Sequence, residues 1–443
     1  MTPTTPHTPP FVLPAGLLAA HRVDLTLAAD WWRFEPCHAV ATQAGETYTL
    51  SRVWRSRFRA GTGATDPGER GFDYRMITRF APDGTPTATA VFGQQHADGA
   101  ASAITTGQGE SLAVLPDGTV AYCANPASTH LMAPDLSRVL ASWSMPGEFE
   151  TDAGPGDPYA ASIAVTPAGR LLCMTSEYRI APWHGAHPNL VAVSEPGAVL
   201  APGSKPPLRA IASFRADTGR QTDADLYPHV RFDGAPVGRD NRPSPTLTEV
   251  VSRHAVCAPD YAEGRMHRPA ALADDLFVVP VFGKIYRSGN RGRDFAFVLV
   301  DDRGAVRGRL EGLHRIGESP FTGHDFTVVG DPHRGRAFHL NRYGLFAWTA
   351  DGRMRCRIPT SEKPFTALTK FELLDCTPAG ELLLAHGQQN LLLRVPVPED
   401  LATLPDAVAG ALTAYARGRS ALKKQYDPVN WHWVDNSAAV HRL

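Results

Sequence analysis

One hairpin pattern recurs six times along this chain, and any fold it adopts has to be assembled from the copies. An apolar run stops at a Pro/Asp/Gly turn, resumes as a second apolar run, and a second hairpin of the same kind follows. Ser111-Leu-Ala-Val-Leu-Pro-Asp-Gly-Thr-Val-Ala-Tyr-Cys-Ala124 and Ser162-Ile-Ala-Val-Thr-Pro-Ala-Gly-Arg-Leu-Leu-Cys-Met-Thr175 align without a gap. Repetition at this scale marks one supersecondary unit used several times. The first hairpins fall at His38–Leu50, Ser111–Ala124, Ser162–Thr175, Arg268–Val281, Asp325–Leu340 and Leu373–Ala385. The second hairpins interleave at Tyr74–Val91, His130–Trp143, Asn189–Leu200, Asp294–Leu310 and Gly344–Ile358. Glycine supplies the positive φ in most of these turns, and Pro or Asp sets the entry.

Two hairpins per copy predict a four-stranded antiparallel sheet, the blade of a propeller. The sixth copy offers Asn390–Val397 and no return strand. The alternating segment Val23-Asp-Leu-Thr-Leu-Ala28 is therefore expected to supply the missing strand and remove two exposed sheet edges. The prediction is an all-β, six-bladed β-propeller closed by an N-terminal strand. Seven blades are possible if the stretch between the third and fourth copies conceals a degenerate one. Residues 1–22 form a Pro-rich arm, 23–397 the propeller with a long loop insertion at 215–266, and 398–443 a helical C-terminal tail. In that tail, Val408, Leu412, Tyr415 and Leu422 stand near helical spacing over Asp406–Gln425.

The recurrent small-apolar-x-Pro-Asp-Gly-apolar-x-apolar pattern resembles the NHL-repeat and SMP-30/gluconolactonase-like group of six-bladed propellers over roughly residues 23–397. The Gly-His and Trp-Asp dipeptides of WD40 repeats are absent. The resemblance implies the ring architecture. The group's metal set, a carboxylate with two Asn and an Asp, has no counterpart in the aligned columns, so lactonase activity does not carry over residue by residue.

Lys+Arg 44 against Asp+Glu 45 leaves no cationic excess for a nucleic-acid backbone. No run approaches the ~18 apolar residues of a membrane span, and the first ten residues lack a basic signal-peptide region. Neither a nucleic acid nor a membrane is an expected partner. Six cysteines without a CxxC pair read as reduced thiols, hence a cytoplasmic protein. Abundant Pro, Gly, Ala and Arg against few Lys suggest a bacterial source of high GC content.

Chemistry in a propeller is expected where the first strand of each blade enters the central channel. Aligned at their turns, the copies put Cys37, Glu110, Ala161, His267, His324 and Glu372 in one column. The next column holds His38, Ser111, Ser162, Arg268, Asp325 and Leu373. Imidazoles and carboxylates from several blades suit one divalent ion, Ca, Mg or Zn. His267, His324 and Glu372 are the candidate metal ligands, and His38, Glu110 and Asp325 the candidate catalytic groups. Wet channel mouths are also polar without function, and a slip of one residue turns a strand's face around. Trp54, Trp183, His184 and His187, with Arg268, are candidate ligand-binding residues on the loops and channel rim. Arg287-Ser-Gly-Asn-Arg-Gly-Arg293 reads as a solvated basic loop, and His254, Cys257, Asp260, Glu263 and His267 match no familiar zinc spacing.

Two functions remain. The first is a binding or scaffold propeller that recognises another protein or a small-molecule ligand on its loop face. The alternative is a metal-assisted hydrolase, lyase or cyclisation enzyme acting at the channel, with histidine as the natural general base near neutral pH. No GxSxG elbow, P-loop, HExxH or Rossmann fingerprint is present.

Overall fold

In the computed structural model the repeated turns close with one geometry. Thr42, Leu115, Thr166, Leu272 and Thr377 each donate their N–H to the carbonyl four residues on, at 2.8–3.0 Å. Gly45, Gly118, Gly169 and Gly380 within those turns have φ between 74° and 86°, a region open to glycine and costly for other residues. The structure describes residues 32–55, 73–83, 86–92, 94–95, 101–102, 110–124, 128–143, 148–149, 159–176, 189–203, 206–214, 216–217, 229–230, 261–266, 268–287, 290–312, 327–386 and 392–425.

The hairpins assemble into six sheets, the blades of a six-bladed β-propeller. The first comprises Trp32–Ala41, Thr47–Arg55, Asp73–Phe80 and Pro86–Phe92, the second Ser111–Val114, Val120–Ala124, Ser128–Met132 and Val139–Trp143. The third has Tyr159–Val165, Leu171–Ser176, Asn189–Ser194 and Pro207–Phe214, with Glu148–Phe149 added in parallel at its outer edge. In the fourth, Ala270–Ala271 pairs with Leu276–Arg287, followed by Asn290–Asp301 and Val306–Arg309. The fifth comprises Val328–Asp331, Arg336–Asn341, Gly344–Thr349 and Met354–Pro359, the sixth Phe371–Cys376, Glu381–His386 and Leu392–Pro396. The first strands of successive sheets lie side by side, and that of the sixth returns to that of the first. That cyclic adjacency defines the ring and its central pore.

Because each sheet is covered on both faces, its strands carry near-continuous apolar runs rather than alternation with polar residues. In the second sheet, Leu112, Val120 and Tyr122 pack against Val40, Tyr48 and Leu50 of the first. Their neighbours Ala113, Ala121 and Cys123 pack against Ile163, Leu171 and Cys173 of the third. Small residues set the blade spacing near the pore. A Cβ on Gly330 of the fifth sheet would stand 1.9 Å from the Ala271 carbonyl oxygen of the fourth.

Closure of the ring uses side chains among the described residues. Arg394 of the sixth sheet donates to the Thr47 hydroxyl and the Gly45 carbonyl of the first. The segment Val23–Ala28, expected to add a closing strand, lies outside the described residues. After the sixth sheet, Asp400 accepts a hydrogen bond from the Ala402 N–H at 3.0 Å and caps a short 3₁₀ turn, Leu401–Thr403. Helix α1, Leu404–Gln425, then begins with Pro405 in its first turn, where a missing N–H costs nothing. Its Leu404, Val408, Leu412 and Tyr415 enter the core shared by the fifth and sixth sheets. No described helix is long and apolar enough to cross a membrane.

Two expectations change. Of the run Arg287–Arg293, Arg287 and Asn290–Arg293 are strand rather than loop, since Tyr286 pairs with Arg291 and Arg287 with Asn290. The insertion 215–266 is not loop throughout, since Tyr261–Met266 pairs with the Val281–Ile285 part of the fourth sheet. Within it, Ala216–Asp217 also pairs with His229–Val230.

Candidate functional site

The first strand of every blade has an edge facing the pore, and its inward N–H groups need acceptors. The chain supplies them from the preceding blade. His38 Nδ1 accepts from the Leu112 N–H at 2.8 Å, and Ser111 Oγ accepts from the Ile163 N–H at 2.8 Å. One blade further, Ser162 stands four residues before its turn residue, as His38 and Ser111 do before theirs. The residue in the donor's position is Pro269, three before Leu272. Proline has no N–H. The Ser162 hydroxyl, in a residue 1% exposed, accordingly has no hydrogen-bond partner among the described residues.

Strand pairing fixes which residues share this level of the pore. His38 lies opposite Leu50, Ser111 opposite Cys123, Ser162 opposite Met174 and Glu372 opposite Ala385, each partner standing at the same point of its own strand. In the sixth blade a bulge at Leu374 shifts Glu372 by one residue, so it is level with His38 rather than with Glu110. In the fifth, Val328 lies opposite His339 as Leu112 lies opposite Tyr122, which gives the level to Thr327, two residues beyond Asp325. The sequence columns assumed equal turn lengths and unbroken ladders. A longer fifth turn and one bulge are enough to break them.

The candidate residues consequently part company. His38 is buried, and its ring pKa lies well below the ordinary 6.5, chiefly through burial and secondarily through the Arg268 charge. A neutral imidazole has a single lone pair, and the Leu112 N–H occupies it. His38 therefore offers its Nε2–H as a donor, and has no free lone pair for a proton or a metal. Glu110 sits in a buried ion pair. Its Oε2 meets Arg75 Nε at 2.5 Å, with side chains 4% and 1% exposed, in an ion pair joining the first two blades. His267, His324, Asp325, Trp183, His184 and His187 lie outside the described residues, and Trp54 is placed only as a member of the strand Thr47–Arg55. Among the described residues, no three of His, Cys, Asp and Glu come together as a metal cage.

Arg268 is the residue that reaches across. From the fourth blade its Nη2 donates to the Leu374 carbonyl of the sixth at 3.0 Å. Those blades are not neighbours in the ring, so the side chain spans the pore. Burial lowers the pKa of Arg268, opposed by the Asp375 charge. Asp375, on the strand Arg268 touches, has its carboxyl pushed up to about 7 by burial, against the pull of Arg268 and a hydrogen bond from the Cys376 backbone. Both residues stay partly exposed. Sequence reasoning found Arg268 but missed Asp375, whose charge acts on that guanidinium across the pore and which no local motif marks. Pro269 was legible as a residue unable to donate, once its place beside the pore was known.

No family model matches the chain, and no curated protein does. Solved propeller structures match the chain only at low similarity. The WD40 β-propeller domain of Doa1 is 10% identical over 82% of this chain and 96% of its own, with a TM-score of 0.33. The β-propeller domain of Cps50 (Swd1) from Myceliophteria thermophila is 7% identical over 81% and 95%, with a TM-score of 0.34. A luciferin-regenerating enzyme is 10% identical over 66% of this chain and 72% of its own, with a TM-score of 0.33. The assignment of six blades rests on the sheets themselves, and these matches do not single out the NHL and SMP-30-like group.

Proposed function

We propose that this protein is a binding propeller, a rigid ring that presents its loops and pore mouth to another protein or to a small ligand. The observation that carries this reading is how the described pore groups are spent. His38 and Ser111 hold the edges of neighbouring blades, and Glu110 neutralises Arg75. Such groups build a frame and are poorly placed for proton transfer. The repeat pattern supports a ring of the NHL and SMP-30-like kind. The unpaired thiols of Cys123, Cys173, Cys356 and Cys376 favour a reducing compartment such as the cytoplasm, and the composition favours a bacterial source.

The expected recognition face includes the insertion 215–266, Trp54 near the end of the strand Thr47–Arg55, and the segment carrying Trp183, His184 and His187. Deleting residues 218–253 tests it, with crosslinked complexes recovered quantitatively from source cells. A partner retained by the parent and lost from the folded deletion supports the reading, whereas identical recovery from both refutes the assigned face. The alternative, a metal-assisted enzyme using His267, His324 and Glu372, predicts a stoichiometric divalent ion in purified protein, lost in His267→Ala and His324→Ala. Elemental analysis decides between the two.

A further inference from the structure

Among the described residues, the pore holds a cation whose donors are largely unspent. Arg268 carries five N–H donors in a planar fork, and its one hydrogen bond among the described residues goes to a neutral carbonyl, that of Leu374. No described carboxylate lies within ion-pair distance of it. A guanidinium brought into a partly desolvated pore is normally matched by an anion in bidentate contact. Two further donors stand at the same level. The Ser162 hydroxyl, in the strand beside Arg268's blade, is buried and without a partner because the adjoining residue is Pro269. His38, whose Nδ1 is occupied by the Leu112 N–H, presents Nε2–H.

We propose that the pore around Arg268, Ser162 and His38 binds a compact oxyanion, a carboxylate or phosphate group carried by a free ion or by the end of a larger ligand. Three blades then each contribute donors, and the carboxylate described at this level, Glu372 of the sixth blade, stands on a different strand from all three. Asp375 is the internal competitor for the same guanidinium. Burial holds its carboxyl near 7, so around neutral pH it matches the Arg268 charge only in part. The Arg268 fork, the Ser162 hydroxyl and the His38 Nε2–H are donors of the kind a small anion needs. The site deepens the binding reading by naming a ligand class at one place, and its outcome does not depend on the loop-face partner.

The test titrates the full chain with inorganic phosphate and, separately, with acetate. Ionic strength is held constant with sodium chloride, and binding is followed by calorimetry and by the unfolding midpoint. The expected result is saturable one-site binding of at least one of the two, weakened tenfold or more in Arg268→Gln and unchanged in Arg209→Gln, a control arginine elsewhere on the ring. Asp375→Asn, which removes the competitor, should tighten binding several-fold. If Arg268→Gln does not fold, Arg268→Lys serves, since it keeps the charge but loses the fork, and several-fold weakening is expected. The parent's failure to bind either anion beyond the chloride control overturns the proposal. So does equal binding by a folded Arg268 variant. Either result leaves the loop-face reading standing, because that reading is tested by partner recovery from the 218–253 deletion.

Discussion

Ser111 and Ser162 occupy equivalent places in adjacent blades, yet their removal should have opposite consequences. Ser111 Oγ accepts from the buried Ile163 N–H at 2.8 Å. Ser111→Ala deletes that acceptor and strands a backbone donor, a defect costing about 1–3 kcal/mol. Ser162 Oγ is buried with no partner, so Ser162→Ala removes an unsatisfied hydroxyl and should be neutral or stabilising by up to about 1 kcal/mol. The expected difference between two chemically identical substitutions is therefore about 2 kcal/mol. Pro269→Ala extends the logic by restoring an N–H opposite Ser162. The regained hydrogen bond, about 1 kcal/mol, opposes the loss of proline's rigidity, about 0.4–1 kcal/mol. Pro269→Ala should thus be close to neutral alone and clearly destabilising when Ser162 is already Ala, a coupling of about 1 kcal/mol in a double-mutant cycle. Urea unfolding followed through tryptophan fluorescence measures all four proteins, with fully buried Trp348 among the reporters. Equal losses for Ser111→Ala and Ser162→Ala, or a cycle with no coupling, would refute the account of pore-edge N–H groups given above.

Arg75→Met leaves Glu110 charged and buried between the first two blades, and should cost about 3–5 kcal/mol; adding Glu110→Leu should recover most of it, read from the same urea midpoints. His339 is fully buried, with Nδ1 against the Thr327 carbonyl and Nε2 against Asn341, and burial lowers its pKa to about 4. Below pH 6.5 the unfolded chain binds a proton that the folded one refuses, so this stability is complete above pH 6.5. It declines as pH falls toward 4, by about 3 kcal/mol in total. Unfolding midpoints between pH 8 and pH 4 should show that slope, flattened in His339→Gln. Gly330→Ala drives a methyl into the Ala271 carbonyl and should cost about 1–3 kcal/mol or more. Gly410→Ala, on an open helical surface, should instead stabilise by about 0.5–1 kcal/mol in thermal melts.

Turns and two-sided burial were the legible part of this fold. Pro116-Asp-Gly118 and its relatives could close only hairpins, and the apolar runs beside them could be buried only between sheets. Helix α1 was equally plain from the spacing of Val408, Leu412 and Tyr415. The site was less legible, because strand register is decided by features with no local signature. The bulge at Leu374 moves Glu372 by one residue, and the longer turn before Arg336 gives Thr327 the level expected of Asp325. Nor does a sequence reveal whether a carboxylate faces water or a buried cation, as Glu110 faces Arg75. Conversely, Arg268 was readable as a pore residue, but its reach past the fifth blade to the sixth depends on the ring's diameter.

The clasp of Arg394 on Gly45 joins residues 349 positions apart. At roughly 5–20 residues per second of synthesis, the first blade leaves the ribosome about 17–70 s before its last neighbour exists. Through that interval its apolar flank, with Ala39 at the centre, faces water or whatever chaperone covers it. The production of active protein should therefore respond to translation speed and to holdase supply more than the finished ring's resistance to urea would suggest.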